Sequence, residues 1–286
     1  MKDSTNRKTK VLRHPVFLCL VNFLVCLILG LLLFFPLAPF ARQLEQLAAT
    51  HQLEVKIERP HLLFPFGLGS EQISLAHPQL PHPPFKLKGV ALRPMWLSLV
   101  SSNPGLSFGF EIMQGSLTGN GYRDGTTQAF LENLQIDEKL GPQLPLTLKG
   151  LVEKAEFDGT LPLAGKNQSR LQMDARELRL EGLKSFGSAT DDLPIDQLQL
   201  KAEAKGQMLQ IQTFSTTGPA FDLKGNGSIR IGNSPARSSL NLSLVLTPKA
   251  GLDPMLKDLL SLSKQPRPDG TYLFSVSGPL SNVRVN

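Results

Sequence analysis

Apolar and polar residues alternate with a period of two along most of the chain after residue 52. The clearest segment is 221–231, where apolar residues or glycines occupy every second position and polar or charged residues lie between them. The same alternation recurs over 195–204 and 239–246. A period of two is typical of strands that have one buried face and one solvated face, as in antiparallel sheets. The sequence therefore predicts a mainly β fold.

Short turns separate these predicted strands, as at Lys205-Gly206, and they predict local pairing in a meander. Further alternating segments occupy 53–58, 71–76, 85–92, 106–112, 146–148, 155–161, 171–175, 207–214 and 271–277. The apolar phase shifts by one within 106–119, which predicts a bulge or sharp bend at Gly115. No linker divides residues 53–286, so we predict one elongated, curved antiparallel β-meander domain.

Two short helices are predicted within this β domain. Asp253 and Pro254 have the residue types of a helix N-cap and first position, and apolar residues follow at helical spacing. The segment 93–100 is the second candidate and is stopped by Asn103-Pro104. The proline-rich stretch 77–84 is the strongest candidate for a loop.

The segment 16–35 is an uncharged run of 20 residues in which Asn22 is the single polar side chain. A helix of that length spans about 30 Å, the hydrocarbon thickness of a bilayer. The alternative is a cleaved signal peptide, which has an apolar region of about 7–15 residues and a small-x-small cleavage site. The run is longer than that and lacks a good site, so we predict a single N-terminal transmembrane helix over 16–35.

The net charge of +6 is concentrated before this run. Residues 1–15 carry five basic side chains against Asp3, whereas the remaining residues carry 25 basic and 23 acidic ones. The positive-inside rule then predicts a cytoplasmic basic tail over 1–15 and export of residues 53–286. An amphipathic juxtamembrane segment over 36–52, with Phe40, Leu44 and Leu47 on one side, is expected near the bilayer surface. Acidic and basic residues alternate after residue 42, which argues against a nucleic-acid partner.

The residue types that carry most chemistry are scarce. Cys19 and Cys26 are the only cysteines, both inside the apolar run, and all five histidines precede residue 83. His61, His77 and His82 are weak candidates for a metal site, because two prolines separate the last two and no carboxylate pair is near. The glycines of 119–125 have the wrong spacing for a phosphate loop and predict a tight hairpin. We predict no enzyme activity and no catalytic, cofactor-binding or metal-binding residue.

The layout of basic tail, anchor and β meander resembles the type II secretion system protein N (GspN) family. The resemblance is most specific in 225–232, 239–248, the helix around 253–262 and 268–280, with a further glycine-rich strand at 115–121. It implies a non-catalytic, single-pass inner-membrane component that contacts other secretion subunits from the periplasm. The strand pattern is also similar to AsmA-like proteins, and this similarity implies a lipid-binding or lipid-transfer module.

Both functions use the apolar side of the predicted strands, either against partner subunits or as a groove for phospholipid acyl chains. The candidate lipid- or partner-facing residues are Phe221, Leu223, Ile229, Leu240, Leu242, Leu244 and Leu246. These residues would form an ordinary core if the meander closed on itself or folded into a sandwich. The sequence alone leaves these closed arrangements and an open groove as alternatives.

Overall fold

The computed structural model describes residues 15–34, 37–50, 53–64, 67–76, 85–139, 145–163, 167–232, 237–263, 265–280 and 282–285. The predicted loop 77–84, with His77 and His82, and residues 1–14 of the basic tail lie outside them. The helices are α1 (Pro15–Phe34), α2 (Leu37–Thr50), α3 (Trp96–Leu99) and α4 (Pro254–Ser263), with a one-turn 3₁₀ helix at Leu183–Phe186. The strands are β1 (Glu54–Leu63), β2 (Gly67–Ala76), β3 (Phe85–Pro94), β4 (Gly105–Ile112), β5 (Gly115–Tyr122), β6 (Thr126–Lys139), β7 (Thr147–Thr160), β8 (Gln168–Glu181), β9 (Asp192–Lys205), β10 (Met208–Thr217), β11 (Phe221–Arg230), β12 (Ser239–Pro248), β13 (Tyr272–Pro279) and β14 (Arg284–Val285).

All 14 described strands belong to one antiparallel sheet whose spatial order is the order of the chain, β1 to β14. Each strand pairs only with its sequence neighbours, because short connections return the chain directly alongside the strand just completed. The sheet is open, with β1 at one edge and β14 at the other. The prediction of a mainly β antiparallel meander is confirmed.

A row of β-bulges bends the middle of the sheet. Asn133, Glu177 and Asp196 lie in β6, β8 and β9 with φ of 56°, 55° and 41°. The pairing of β7 with β8 also shifts register between Val152 and Lys154. Bulges bend the strand that contains them and increase its twist, so neighbouring strands change direction together at this level.

The bend predicted at Gly115 lies two residues earlier. Met113 and Gln114 form the turn between β4 and β5, with φ of 46° and 65°. Gly115 is the first residue of β5, and a Cβ there would lie 2.7 Å from the carbonyl oxygen of Glu132. Close approach of β6 therefore requires this glycine. Of the predicted hairpin glycines, Gly125 has a φ of 87° in the turn, while Gly119 and Gly121 belong to β5.

Strand β6 was missed by the sequence pattern. Its apolar positions are Ala129 and Leu131 before the bulge at Asn133, and Leu134 and Ile136 after it. The extra residue moves the apolar side chains from odd to even positions without changing their face. A search for strict alternation therefore finds two fragments that are too short to count as a strand.

The predicted helix around 253 is confirmed as α4, with its predicted cap. The Asp253 carboxylate accepts a hydrogen bond from the Met255 backbone amide at 2.8 Å, and Pro254 is the first helical residue. The predicted 93–100 helix is the single turn α3.

Helix α1 covers the predicted apolar run except for its last residue, which lies outside the described residues. Counting only the residues that the structure describes in full, no helix is long and apolar enough to cross a membrane.

Helix α2 turns back along β1, the first strand of the sheet. The Leu53 amide donates to the Ala48 carbonyl, and further along the Ile57 amide donates to the Glu45 carboxylate at 2.8 Å. Helix α2 therefore runs antiparallel to β1. Ala41 is buried, whereas Leu44 and Leu47 are exposed.

Candidate binding face

Strand register places the apolar positions of all the long strands on one side of the sheet. Leu223 lies opposite Leu246, Leu246 lies opposite Tyr272, and the same alignment continues through every neighbouring pair to β1. Directly opposed residues share a face of a sheet. We call this side the apolar face, and it includes Ile57, Ile73, Leu87, Phe108, Leu117, Leu131, Val152, Met173, Leu200, Ile211, Leu223, Leu244 and Phe274.

The seven candidate residues all lie on the apolar face, in β11 and β12. Leu223 pairs with Leu246 and Ile229 pairs with Leu240, while Phe221 lies opposite Pro248. The other two candidates are Leu242 and Leu244, which lie opposite Gly227 and Gly225. All seven are half-buried. Their side chains thus form a continuous apolar surface that remains accessible to solvent.

Glycines on this face make room for the large side chains of the adjacent strand. A Cβ at Gly227 would lie 2.8 Å from the Leu242 side chain, and one at Gly225 would collide with Leu244. Gly119 has the same role under the ring of Phe108. The sequence pattern located Gly225 and Gly227 on the apolar face, and the structure adds Gly119 and shows that leucine and phenylalanine side chains lie across them.

The apolar face is most enclosed at its centre. Val152, Ala175 and Leu178, from β7 and β8, are 2–3% exposed and pack against Leu131, Leu134 and their neighbours. Elsewhere most apolar residues of the face are half-buried or exposed, apart from single buried positions such as Leu87 in β3 and Tyr272 in β13, and no large apolar side chain of the described residues is completely buried. The side chains of a bent single sheet cover one another most where the strands curve.

One end of the apolar face is covered by α4. The Asp253 carboxylate accepts hydrogen bonds from the Ser188 hydroxyl and the Ala189 amide, both at 3.0 Å, which ties α4 to the β8–β9 connection. Near the other end of the helix, the Ser261 and Tyr272 hydroxyls are 3.3 Å apart. The helix therefore reaches from the first residue of β13 to the connection between β8 and β9.

Hydrogen-bond donors from α4 and from the β8–β9 connection stabilise the charged form of Asp253. The Met255 amide is the largest influence, and with Ser188 and Ala189 it holds the pKa of Asp253 below the ordinary value of an aspartate. Similar turns at Thr271 and Thr126 lower the pKa of Asp269 and Asp124. These carboxylates fix turns and a helix end, which is a structural role.

The opposite side of the sheet, which we call the polar face, carries exposed ion pairs. Lys149 lies 2.8 Å from Glu181, and Lys154 pairs with Glu156. Each glutamate raises the pKa of its lysine through a hydrogen bond and its charge. Arg176 pairs with Glu153 beside the bulges. Charges of both signs are matched here, so the polar face offers no concentrated charge to a ligand.

Groups that hold metals are not assembled in the part of the chain that the structure describes. No cluster of three or more histidine, cysteine, aspartate or glutamate side chains is found there. His61 lies on β1 near Gly69, while its predicted companions His77 and His82 lie outside the described residues. Cys19 and Cys26 are free and exposed on α1, and the Cys26 thiol is 3.8 Å from the Asn22 side-chain oxygen.

Sequence reasoning named candidate residues only in β11 and β12, and it missed Val152 and Leu178 at the enclosed centre of the apolar face. The residues at its enclosed centre come from β6–β8, where bulges interrupt the alternation. Pairing these fragments by register, with one extra residue allowed at each bulge, would have found them.

Comparison with known proteins does not add a relative: no family model, curated protein or solved structure matches this chain.

Proposed function

We propose that this protein is a non-catalytic, membrane-anchored protein whose apolar face holds the acyl chains of lipids. The observation that carries the proposal is the open sheet, in which one apolar face runs through successive strands and its leucines stay half-exposed. An exposed apolar surface of this extent marks a binding site for another apolar partner. The function is that expected from the similarity to AsmA-like proteins.

The dimensions and energetics fit acyl chains. Fourteen strands at about 4.8 Å spacing give a sheet about 60 Å across. One acyl chain spans half of a bilayer's hydrocarbon core, or about 15 Å, so the face has room for several. Each buried methylene contributes about 0.8 kcal/mol, and ten of them would offset much of the cost of removing a lipid from a bilayer.

The location that we propose is the inner membrane, with α1 as a single anchor, residues 1–15 in the cytoplasm and the sheet in the periplasm. The support is the uncharged run over 16–35 and the five basic residues that precede it. Helix α2 begins three residues after α1 ends, as a juxtamembrane segment would.

The test is lipid retention by the full chain in matched variants. Purified from membranes in mild detergent, the native chain should carry phospholipid that mass spectrometry detects in stoichiometric amounts. Leu242→Glu/Leu244→Glu places two charges on the apolar face and should release most of that lipid. The control Asn241→Glu/Ser243→Glu places the same charges on the polar face of the same strand and should retain it. Equal lipid content in both variants would refute the proposal.

The second candidate is a component of the type II secretion system that acts through protein contacts. Its supporting observation is at the β13 edge, where the described part of β14 pairs only with Val276 and Ser277. An extended strand of a partner subunit can pair with a sheet edge of this kind. In-cell crosslinking that enriches secretion subunits, and loses them when residues 1–52 are replaced by an unrelated anchor, would favour this candidate. Stoichiometric phospholipid without any such subunit would reject it.

A further inference from the structure

A cluster of exposed apolar residues lies at one end of the sheet, around α3. Leu97, Val100 and Phe64 are 94%, 92% and 91% exposed, and Trp96 and Leu99 are about half exposed. Phe64 follows β1 and the others follow β3, two strands that pair with β2 and end on the same side. We call Phe64, Trp96, Leu97, Leu99 and Val100 the apolar tip.

The apolar tip is a built feature of the fold. The Ser98 hydroxyl accepts a hydrogen bond from the Gly105 amide at 2.7 Å and lies 2.6 Å from the Met95 carbonyl oxygen, which closes the base of the α3 loop. The β5–β6 turn is held against the same loop, because the Arg123 amide donates to the Pro104 carbonyl at 2.9 Å. These bonds orient the loop while leaving Leu97 and Val100 in solvent.

The two ends of the sheet differ in charge. Because the strands alternate in direction, every second connection lies at the end that carries α3, and the others lie at the end that carries α4. Counting each connection with its flanking strand residues, the described part of the α3 end has five basic residues and one acidic residue; the α4 end has five basic and seven acidic. The basic residues at the α3 end are Arg123, Lys205, Arg230, Arg237 and Arg284.

We infer that the α3 end docks on the surface of a bilayer that contains anionic phospholipid, with the apolar tip inserted among the headgroups. Tryptophan and aliphatic side chains are the residues that enter the membrane interface most readily. The excess of basic residues at the same end complements anionic headgroups, each near-surface lysine or arginine adding to the attraction. The acidic α4 end would be repelled from that surface, so charge also sets the orientation.

The path of α2 indicates which bilayer this is, and this step rests on the proposed anchor. Ala48 lies beside Leu53, and Glu45 lies beside Ile57, so α2 begins toward the α3 end and ends at the α4 end. Helix α1 ends at Phe34, three residues before α2 begins. Three residues span at most about 11 Å. The anchor and the apolar tip would then meet the same membrane, and the apolar face would open beside it.

The chain contains its own probe, because Trp96 in the apolar tip is the only tryptophan. The full chain would be reconstituted in vesicles of phosphatidylethanolamine and phosphatidylglycerol whose acyl chains are brominated. Bromine quenches tryptophan fluorescence only at close range, so docking should quench Trp96 relative to unbrominated vesicles. Leu97→Asp/Val100→Asp should lose most of the quenching. The matched control is Leu262→Asp, an exposed apolar residue of α4, and it should retain the quenching.

Three results would overturn docking: no quenching in the native chain, equal quenching in the tip variant, or equal quenching in vesicles of zwitterionic lipid alone. Leu242→Glu/Leu244→Glu separates this inference from the proposed lipid binding. Quenching that persists in this variant, while lipid retention is lost, supports the tip as the contact. If this variant loses both the quenching and the bound lipid, Trp96 was reporting lipid held on the apolar face, and the inference fails.

Discussion

The two faces of the sheet share every strand and every backbone hydrogen bond, yet they are maintained by different interactions. On the apolar face, side chains of neighbouring strands cover one another, most closely at Val152 and Leu178. On the polar face, the strands are bridged by ion pairs that remain in solvent, such as Arg170 with Glu203. Burial contributes far more per residue than exposed ion pairs do. We therefore expect stability and ligand binding to depend on the apolar face. Substitutions on the polar face should be tolerated.

The largest difference between the faces is expected for a charge introduced at the same level of β7. Val152→Asp would bury a carboxylate at a position that is 2% exposed and should lower the free energy of unfolding by roughly 3–5 kcal/mol. Leu151→Asp places the same carboxylate on the polar face, opposite Arg176, and should change it by less than about 1 kcal/mol. Urea unfolding of the full chain in detergent measures both. Similar losses would mean that the polar face is also part of a core.

A second comparison adds one methyl group to each face of the β4–β5 hairpin. In Gly119→Ala the new Cβ would collide with the Gln128 backbone carbonyl oxygen and lie 2.6 Å from the ring of Phe108, so displacing β6 and that ring should cost about 1–3 kcal/mol. In Gly109→Ala the nearest atom, the Thr118 methyl, lies at 3.6 Å, so the change should be neutral or stabilising by up to about 1 kcal/mol. The thermal unfolding midpoint of Gly119→Ala should fall, whereas that of Gly109→Ala should stay the same or rise. A stable Gly119→Ala variant would show that the backbone of β6 and the Phe108 ring shift at little cost.

The covered end of the apolar face can be opened by Asp253→Asn. Ser188 and Ala189 both donate to Oδ2 of Asp253, and the Met255 amide donates to Oδ1. An amide nitrogen cannot accept at either position, so the asparagine loses the helix cap or the two bonds to the β8–β9 connection, and α4 should detach more readily. Hydrogen exchange of α4 should increase and the thermal midpoint should fall. The control Asp269→Asn changes a carboxylate bound only within its own turn, at Thr271, and should have a smaller effect. Equal exchange of α4 in the two variants would argue against the covering role.

The same carboxylate predicts a dependence on pH. A pKa below the ordinary value means that the native state favours the charged form, so its stabilisation is complete above that value, near 4. It is lost as pH falls through the lowered pKa. As pH falls from about 4 to the lowered pKa of Asp253, hydrogen-exchange protection of α4 should decrease more steeply in the native chain than in Asp253→Asn. Parallel curves would mean that this carboxylate is not responsible.

The smallest effect is expected on the polar face. Arg170→Gln removes an exposed ion pair with Glu203 at 3.8 Å and should change the free energy of unfolding by less than about 0.5 kcal/mol. Lipid retention should also be unchanged, because Arg170 does not lie on the apolar face. A loss of bound lipid in this variant would assign a binding role to the polar face.

The sequence predicted the elements that depend on local pattern. Alternation over 221–231 and 239–246 located β11, β12 and the seven half-buried residues of the candidate face. Asp253 and Pro254 located α4, because capping depends on two adjacent residues. Local pattern was insufficient at Asn133, where a bulge changes the phase of β6, and at Met113-Gln114, where two residues other than glycine adopt positive φ.

The sequence by itself determined that the chain forms amphipathic strands in a meander, since a period of two and short turns are local properties. Only the tertiary structure decided that the strands form one open sheet in which bulges keep a single apolar face in register from β1 to β13. It also decided that α4 covers one end of that face and that Trp96 lies exposed at the other. The physical reason is that alternation specifies which side chains share a face of a strand, whereas closure depends on how bends and twists add up over many strands.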